Sequence, residues 1–107
     1  MKEKVNLFLL CFKKGRKREG NFLRIFFFEK KDLKEAKIFP VIPKKLINLA
    51  VKRNKIKRWI REAMREKIKK FFRKGIFIIF LKKHPEDLNF QKVKKEINNI
   101  LENVKFF

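Results

Sequence analysis

The segment from about Asn48 to Phe72 constrains the fold of this chain more than any other. It contains no Gly or Pro, and its apolar residues recur at the spacing of an α-helix. Those residues are Ile56, Ile60, Ala63, Met64, Ile68, Phe71 and Phe72. The pattern predicts one long amphipathic helix, the longest element of the chain, with its apolar stripe in the core.

Shorter patterns on either side predict the remaining elements. In chain order they are a helix over 5–12 ended by Gly15, a basic turn or short edge strand over 15–20, strands over 21–31 and 37–42, the long helix, a strand over 76–81, and a last helix capped by Asn89. The strand over 76–81 is continuously apolar, which is typical of a central strand covered on both faces.

This order of elements predicts an α+β fold. We expect a small two-layer sandwich, with helices packed on a mixed sheet of three or four strands in the order α-β-β-(β)-α-β-α. The order does not decide whether one face of the sheet is left uncovered. At 107 residues, the chain is expected to form a single domain over 1–107.

The strand over 21–31 alternates between two sets of side chains. Phe22, Arg24, Phe26 and Phe28 share one face, and Leu23, Ile25 and Phe27 share the other. The first set has two interpretations. It is either core, with Arg24 extending its charge to the edge, or an exposed aromatic platform for nucleotide bases.

The charge of the chain indicates a polyanionic partner. Its 32 Lys and Arg exceed its 11 Asp and Glu by a formal net charge of +21, which is costly through self-repulsion unless a polyanion offsets it. Nucleic acid and anionic membrane both qualify. Fourteen basic and only two acidic residues lie between Lys44 and Lys74, so the charge is concentrated on the long helix.

Helical geometry orders these cations into a row. At 100° per residue, the row opposite the apolar stripe contains Asn54, Arg58, Arg61 and Arg65, flanked by Lys57 and Lys69. A charge run is commonly a solvated face, but such a face interleaves both signs. Residues 52–55 instead place three cations where the helix dipole disfavours them, which suggests a bound phosphate near the helix start. Trp59, at the margin of the apolar stripe, is expected to pack in the core.

Other classes of function find little support. One His and one Cys provide neither a nucleophilic triad nor a metal site, so we expect no catalysis by the chain alone, no tightly bound cofactor and no small-molecule substrate. The single Cys11 is expected to pack in the first helix and indicates a cytoplasmic protein. No apolar stretch is long enough to span a bilayer, and a membrane partner is not expected.

Two segments resemble the bacterial ribonuclease P protein subunit. Residues 50–66, AVKRNKIKRWIREAMRE, resemble the Arg-Asn-Arg signature of that family, and residues 7–15, LFLLCFKKG, resemble its first helix. The resemblance implies a protein that binds a catalytic RNA and precursor tRNA and assists removal of the 5′ leader. It also implies magnesium held mainly by the RNA, a catalytic centre on the RNA, and a left-handed βαβ crossover.

The resemblance, together with the helical row and the strand alternation, assigns two sets of site residues. The RNA-subunit-binding set is Lys52, Arg53, Asn54, Lys55, Lys57, Arg58, Arg61 and Arg65. The leader-binding cleft, between the sheet and the first helix, is Phe8, Phe12, Phe22, Arg24, Phe26, Lys44 and Lys45. The chain departs from the family before its signature, where Asn48 is expected to replace a Gly in a left-handed conformation.

One alternative from another class remains open at this stage. A ribosomal-type or generic RNA-binding structural protein would have a similar size and charge. The signature and the aromatic cleft are the features that argue against it.

Overall fold

A computed structural model describes residues 6–71 and 74–102, without the side chains of 70 and 71. It contains three helices and four strands in the predicted order. They are α1 (Leu7–Lys14), β1 (Arg16–Glu19), β2 (Leu23–Glu29), β3 (Lys37–Val41), α2 (Ala50–Phe71), β4 (Gly75–Leu81) and α3 (Phe90–Glu102). The α+β prediction is confirmed, and the basic segment over 15–20 forms an edge strand.

The four strands form one mixed sheet in the order β1-β2-β4-β3. The strand β2 is antiparallel to both of its neighbours, whereas β3 runs parallel to β4. The predicted central position of the apolar strand is confirmed, since β4 is buried along its length except at the half-buried Phe80. The long helix α2 joins the parallel neighbours β3 and β4, which makes a βαβ unit. Its left-handedness remains a prediction.

One face of the sheet is covered by α2 and α3. The predicted apolar stripe of α2 is buried there at Ile56, Ile60 and Met64, and Trp59 packs partly buried against the same core, as expected. The predicted core positions Phe71 and Phe72 have side chains outside the described part of the chain. Within the described ranges, no helix is both long enough and apolar enough to cross a bilayer.

The short helix α1 lies on the other face of the sheet. Cys11 is fully buried there, and its thiol donates a hydrogen bond to the carbonyl oxygen of Ile76 over 3.3 Å. Burial raises the pKa of this thiol to about 12, so Cys11 acts as a packing residue, as predicted. The sheet therefore has a helix layer on one face and a partial third layer on the other.

A buried carboxylate on α3 holds the turn between β1 and β2. One oxygen of Glu96 accepts hydrogen bonds from the backbone N–H groups of Phe22 (2.7 Å) and Leu23 (3.0 Å). A Cβ atom at Gly20 would collide with this carboxylate in its present position, so glycine permits the close approach. The carboxylate thereby accepts from two backbone donors at the start of β2.

This turn overturns one sequence-based placement. Phe22 precedes β2, and its ring packs against the core under α2 and α3. The alternation placed it with Arg24 and Phe26 on the opposite face, which was wrong because residue 22 lies in a bend where the strand period does not apply.

We expect Glu96→Ala to lower the free energy of unfolding by about 2 to 4 kcal/mol, because it removes the acceptor of one buried and one part-buried N–H group. Urea denaturation of the free protein measures this. Lys95→Ala, an exposed substitution on the same helix, should change stability by less than about 0.5 kcal/mol. Equal losses in the two variants would contradict the anchoring role.

Candidate nucleic-acid interface

The predicted polar row lies on the solvent side of α2. Asn54, Arg58, Arg61 and Arg65 are all exposed, and the buried residues Ile56 and Ile60 face the core. No salt bridge to any of the three arginines is found among the described residues. We call these four residues the outer row of α2.

The C-terminal half of the outer row borders a groove. Arg61 and Arg65 line it together with Lys69 of α2 and with Lys37 at the start of β3. The groove has a volume of about 490 Å³ and also contains the carboxylate of Glu35, which lies 4.0 Å from the Lys37 ammonium. Cations therefore predominate along its walls.

Two predicted RNA-binding residues point to another side of the helix. Lys52 and Lys55 line a separate depression with Trp59, His84 and Asp87. The Lys55 ammonium lies 5.5 Å from the centroid of the Trp59 ring, which is within the distance of a cation–π interaction. The predicted set is thus divided between the outer row and this flank, with Lys57 half-buried near the row.

Arg53 is turned towards its own chain. One of its terminal guanidinium nitrogens donates to the backbone carbonyl oxygens of Ile47 (3.0 Å) and Asn48 (2.8 Å), and the side chain is half-buried. These bonds fix the segment that enters α2. The guanidinium of Arg53 is therefore less accessible to RNA than those of the exposed arginines.

The expected left-handed conformation of Asn48 is wrong. Among described residues other than glycine, positive φ occurs only at Asp87, with φ 53°. The chain instead reaches α2 through a turn in which Leu46 and Ile47 donate to the carbonyl oxygen of Pro43. Because Arg53 then binds the carbonyl of Asn48, the entry needs no left-handed residue.

On the opposite face of the sheet, five phenylalanine rings pack together. We call them the aromatic cluster: Phe8 and Phe12 of α1, Phe26 of β2, Phe39 of β3 and Phe80 of β4. Phe8 and Phe12 stack with centroids 6.1 Å apart. Phe12 also lies 5.3 Å from Phe26 and 6.2 Å from Phe80, and Phe8 lies 5.8 Å from Phe39.

The rings differ in how much surface they offer to a base. Phe12 is 47% exposed, whereas Phe26 is only 9% exposed beneath Phe12 and Phe80. Phe8 and Phe80 are half-buried. Phe12 is thus the main open ring, and Phe26 forms the floor of the cleft and not a free platform.

Sequence reasoning missed Phe39 and Phe80. Phe80 was missed because the strand over 76–81 is continuously apolar. Such a strand was predicted to be covered on both faces, with no side chain exposed to a ligand. The helix α1 is too short to cover the whole sheet, so the end of β4 emerges beyond it. The alternation of side chains along a strand could have identified Phe80. It places Phe80 and Lys82 on the same face as Ile78.

Charged side chains surround the open end of the cluster. Arg24 lies opposite Phe80 in the register of β2 and β4, and it lines a depression of about 290 Å³ with Phe80, Lys82 and Lys45. The predicted pair Arg24 and Lys45 is thus brought together. Lys44 is exposed but does not line this depression.

The described residues contain no group of three or more His, Cys, Asp or Glu that could hold a metal ion. His84, the one histidine of the sequence, is exposed in the loop between β4 and α3. The structure thus has two cationic surfaces, the outer row and the flank of α2, and an aromatic cleft. Together they can bind a polyanion with unpaired bases.

Comparisons with known proteins agree with this geometry. A family model described as Ribonuclease P matches residues 3–105. The ribonuclease P protein component of Fusobacterium nucleatum is 36% identical over an alignment of 95 residues, and the match covers 85% of this chain and 84% of that protein. The ribonuclease P protein component of Thermotoga maritima is 31% identical over an alignment of 102 residues, and the match covers 91% of this chain and 85% of that protein.

Solved structures show the same fold. The RNase P protein from Thermotoga maritima, in complex with 1-(4-fluorophenyl)-2-thiourea, superposes with a TM-score of 0.78 at 25% identity and covers 95% of this chain and 100% of that one. The Staphylococcus aureus RNase P protein gives a TM-score of 0.71 at 22% identity, covering 98% of this chain and 95% of that one. The second likeness concerns the fold alone.

We expect Arg53→Ala to lower the free energy of unfolding by about 1 to 2 kcal/mol, because two charge-assisted hydrogen bonds at the entry to α2 are lost. Arg58→Ala removes the same type of side chain from the exposed row and should cost less than about 0.5 kcal/mol. Urea titrations of the two purified variants compare them. If both are as stable as the parent protein, Arg53 has no such structural role.

Proposed function

The chain belongs to the ribonuclease P protein family, and from this membership we propose that it is the protein subunit of ribonuclease P, which binds the catalytic RNA and the 5′ leader of precursor tRNA. The observation that carries the proposal is the placement of its two binding surfaces. The outer row of α2 and the aromatic cluster lie on opposite sides of one sheet. A structured RNA and a loose strand can therefore be held at the same time.

The outer row supports binding of the RNA subunit. Arginine can donate two parallel hydrogen bonds to one phosphate, and Asn54 can both donate to and accept from a base or ribose hydroxyl. Arg58, Arg61 and Arg65 are exposed on one face of α2. They follow one another along the helix, so they can contact successive phosphates of a folded RNA. Lys57 flanks this row, Lys52 and Lys55 extend the surface to the flank near Trp59, and Arg53 positions the start of the helix.

The aromatic cluster supports binding of the leader. A single strand stacks its bases on aromatic rings and leaves its phosphates to nearby cations. Phe12 offers the open ring, Phe8 and Phe80 extend it, and Phe26 supports it from below. Arg24, Lys45 and Lys82 then lie within reach of the phosphates, with Lys44 exposed beside them. Phe22 is not part of this surface.

Catalysis is assigned to the RNA subunit. We propose that magnesium supports hydrolysis in the holoenzyme and is held mainly by RNA. The protein contributes binding and orientation of the two RNAs. The cytoplasm is proposed as its compartment, because the sole cysteine is a buried thiol.

Restoration of cleavage tests this function. Purified protein is added to a bacterial ribonuclease P RNA at a magnesium concentration too low for the RNA alone, and cleavage of precursor tRNA is followed. We expect the protein to restore cleavage. A variant with Arg58, Arg61 and Arg65 replaced by Gln should fold but fail to do so. A protein that binds RNA without restoring cleavage would be a generic RNA-binding protein.

We expect Arg58→Ala to weaken binding to the RNA subunit about five- to tenfold, because one charge-assisted interaction with a phosphate is removed. Filter binding over a range of salt should show a slope of log affinity against log salt that is smaller by about 1. Lys95→Ala removes an exposed cation from α3 and serves as the control. Matching losses in the two variants would mean that net charge, and not the outer row, determines affinity.

We expect Phe12→Ala to cost about 1 to 3 kcal/mol in binding of precursor tRNA to the assembled holoenzyme, because a stacked base loses its ring. Binding of mature tRNA, which has no leader, should be unchanged. Leu9→Ala removes another exposed apolar side chain from α1, outside the aromatic cluster, and should affect neither. Similar losses for precursor and mature tRNA would show that the cleft does not bind the leader.

A further inference from the structure

A carboxylate lies at the mouth of the aromatic cleft. The antiparallel register of β1 and β2 places Glu19 opposite Arg24, and that of β2 and β4 places Arg24 opposite Phe80. Side chains directly opposite one another point to the same face of a sheet. The row from Glu19 through Arg24 to Phe80 therefore faces the cleft, beyond the end of α1.

One oxygen of this carboxylate binds two of the cleft's cations. The Oε1 atom of Glu19 accepts from Nε of Arg24 at 3.0 Å and from Nζ of Lys82 at 3.1 Å, and Nη2 of Arg24 also lies 3.0 Å away. The hydrogen bonds from Lys82 and then from Arg24 hold the pKa of the Glu19 carboxyl below its usual value. The group is thus negatively charged at neutral pH and offsets part of the local positive charge.

From this geometry we infer that Glu19 is a built-in competitor of the leader phosphates and so determines how strongly the holoenzyme prefers precursor over mature tRNA. The inference rests on the proposed leader cleft. A leader phosphate has the same charge-assisted interaction with Arg24 and Lys82 that Glu19 already makes. Binding must therefore displace the carboxylate or share its donors.

Glu19 is not needed to hold the two cations in place. Nζ of Lys82 also donates to the backbone carbonyl oxygen of Gly20 over 3.0 Å, which is independent of the carboxylate. The backbone of Arg24 is held in β2, between β1 and β4, so its side chain stays tethered beside the cleft whether or not Glu19 carries a charge. Loss of the charge at Glu19 should therefore leave both cations at the cleft with their charge unopposed.

The surrounding sequence makes this carboxylate unusual. Strand β1 reads RKRE, so Glu19 is its single acid among three cations. Of the two β1 side chains that register places on the cleft side, Lys17 would strengthen phosphate binding and Glu19 opposes it. In a chain with a net charge of +21, an acid at this point limits affinity instead of adding to it.

The substitution Glu19→Gln tests the inference, because it keeps the size and an acceptor oxygen and removes the charge. In the holoenzyme, we expect it to tighten binding of precursor tRNA about two- to fivefold, with mature tRNA unchanged. The salt dependence of precursor binding should steepen by about 0.7 for each additional leader phosphate that the cleft neutralises. Weaker or unchanged precursor binding would overturn the inference.

Two controls separate the possible causes. Glu86→Gln removes one charge from the exposed loop between β4 and α3 and should leave the preference for precursor tRNA unchanged. In a Lys82→Gln background the gain in affinity from Glu19→Gln should shrink, since one of the cations it releases is absent. A full gain in affinity in that background would also overturn the inference.

The Phe12→Ala variant distinguishes failure of this inference from failure of the proposed function. If Phe12→Ala weakens precursor binding and Glu19→Gln does not tighten it, only the role of Glu19 is overturned. If Phe12→Ala has no effect on precursor binding, the cleft does not hold the leader and both proposals are overturned.

Discussion

Burial of the strand β4 on both faces is the constraint on which the structure depends. Its run of Ile and Phe can leave water only if helices cover the sheet from both sides. The helices α2 and α3 do this on one face, and α1 does it on part of the other. The uncovered part leaves Phe80 half-buried beside Phe12. The cleft is thus a consequence of a short helix lying over a long apolar strand.

The strong positive charge of the protein affects both where its arginines lie and which groups its few carboxylates contact. Cations cannot be buried unpaired, so α2 directs its arginines outward while its apolar stripe enters the core. The scarce carboxylates then make internal contacts: Glu96 satisfies two backbone donors at the β1–β2 turn, and Glu19 pairs with two cations at the cleft. Both contacts lie at the same edge of the sheet, on opposite faces.

Sequence reasoning succeeded where one period extends over many residues. The apolar spacing of α2 predicted both its buried face and the exposure of Asn54 and Arg58. It failed where a local bend or a contact with another segment determines the direction of a side chain. Phe22 departs from the strand alternation because it lies in a turn held by Glu96, and Arg53 belongs to the basic run yet binds the carbonyls of its own chain.

The sequence by itself determined the element order, the central strand, the cationic helix and the family. The element order, the central strand and the cationic helix follow from periodicity and composition, which act over short distances along the chain. The family follows from the resemblance of residues 50–66 and 7–15 to the ribonuclease P protein subunit. Tertiary structure alone decided which of the aromatic rings are open, that Phe80 joins Phe12, and that Glu19 meets Arg24 and Lys82. Such contacts depend on strand register and helix coverage, which bring together residues such as Glu19 and Lys82 that are far apart in sequence.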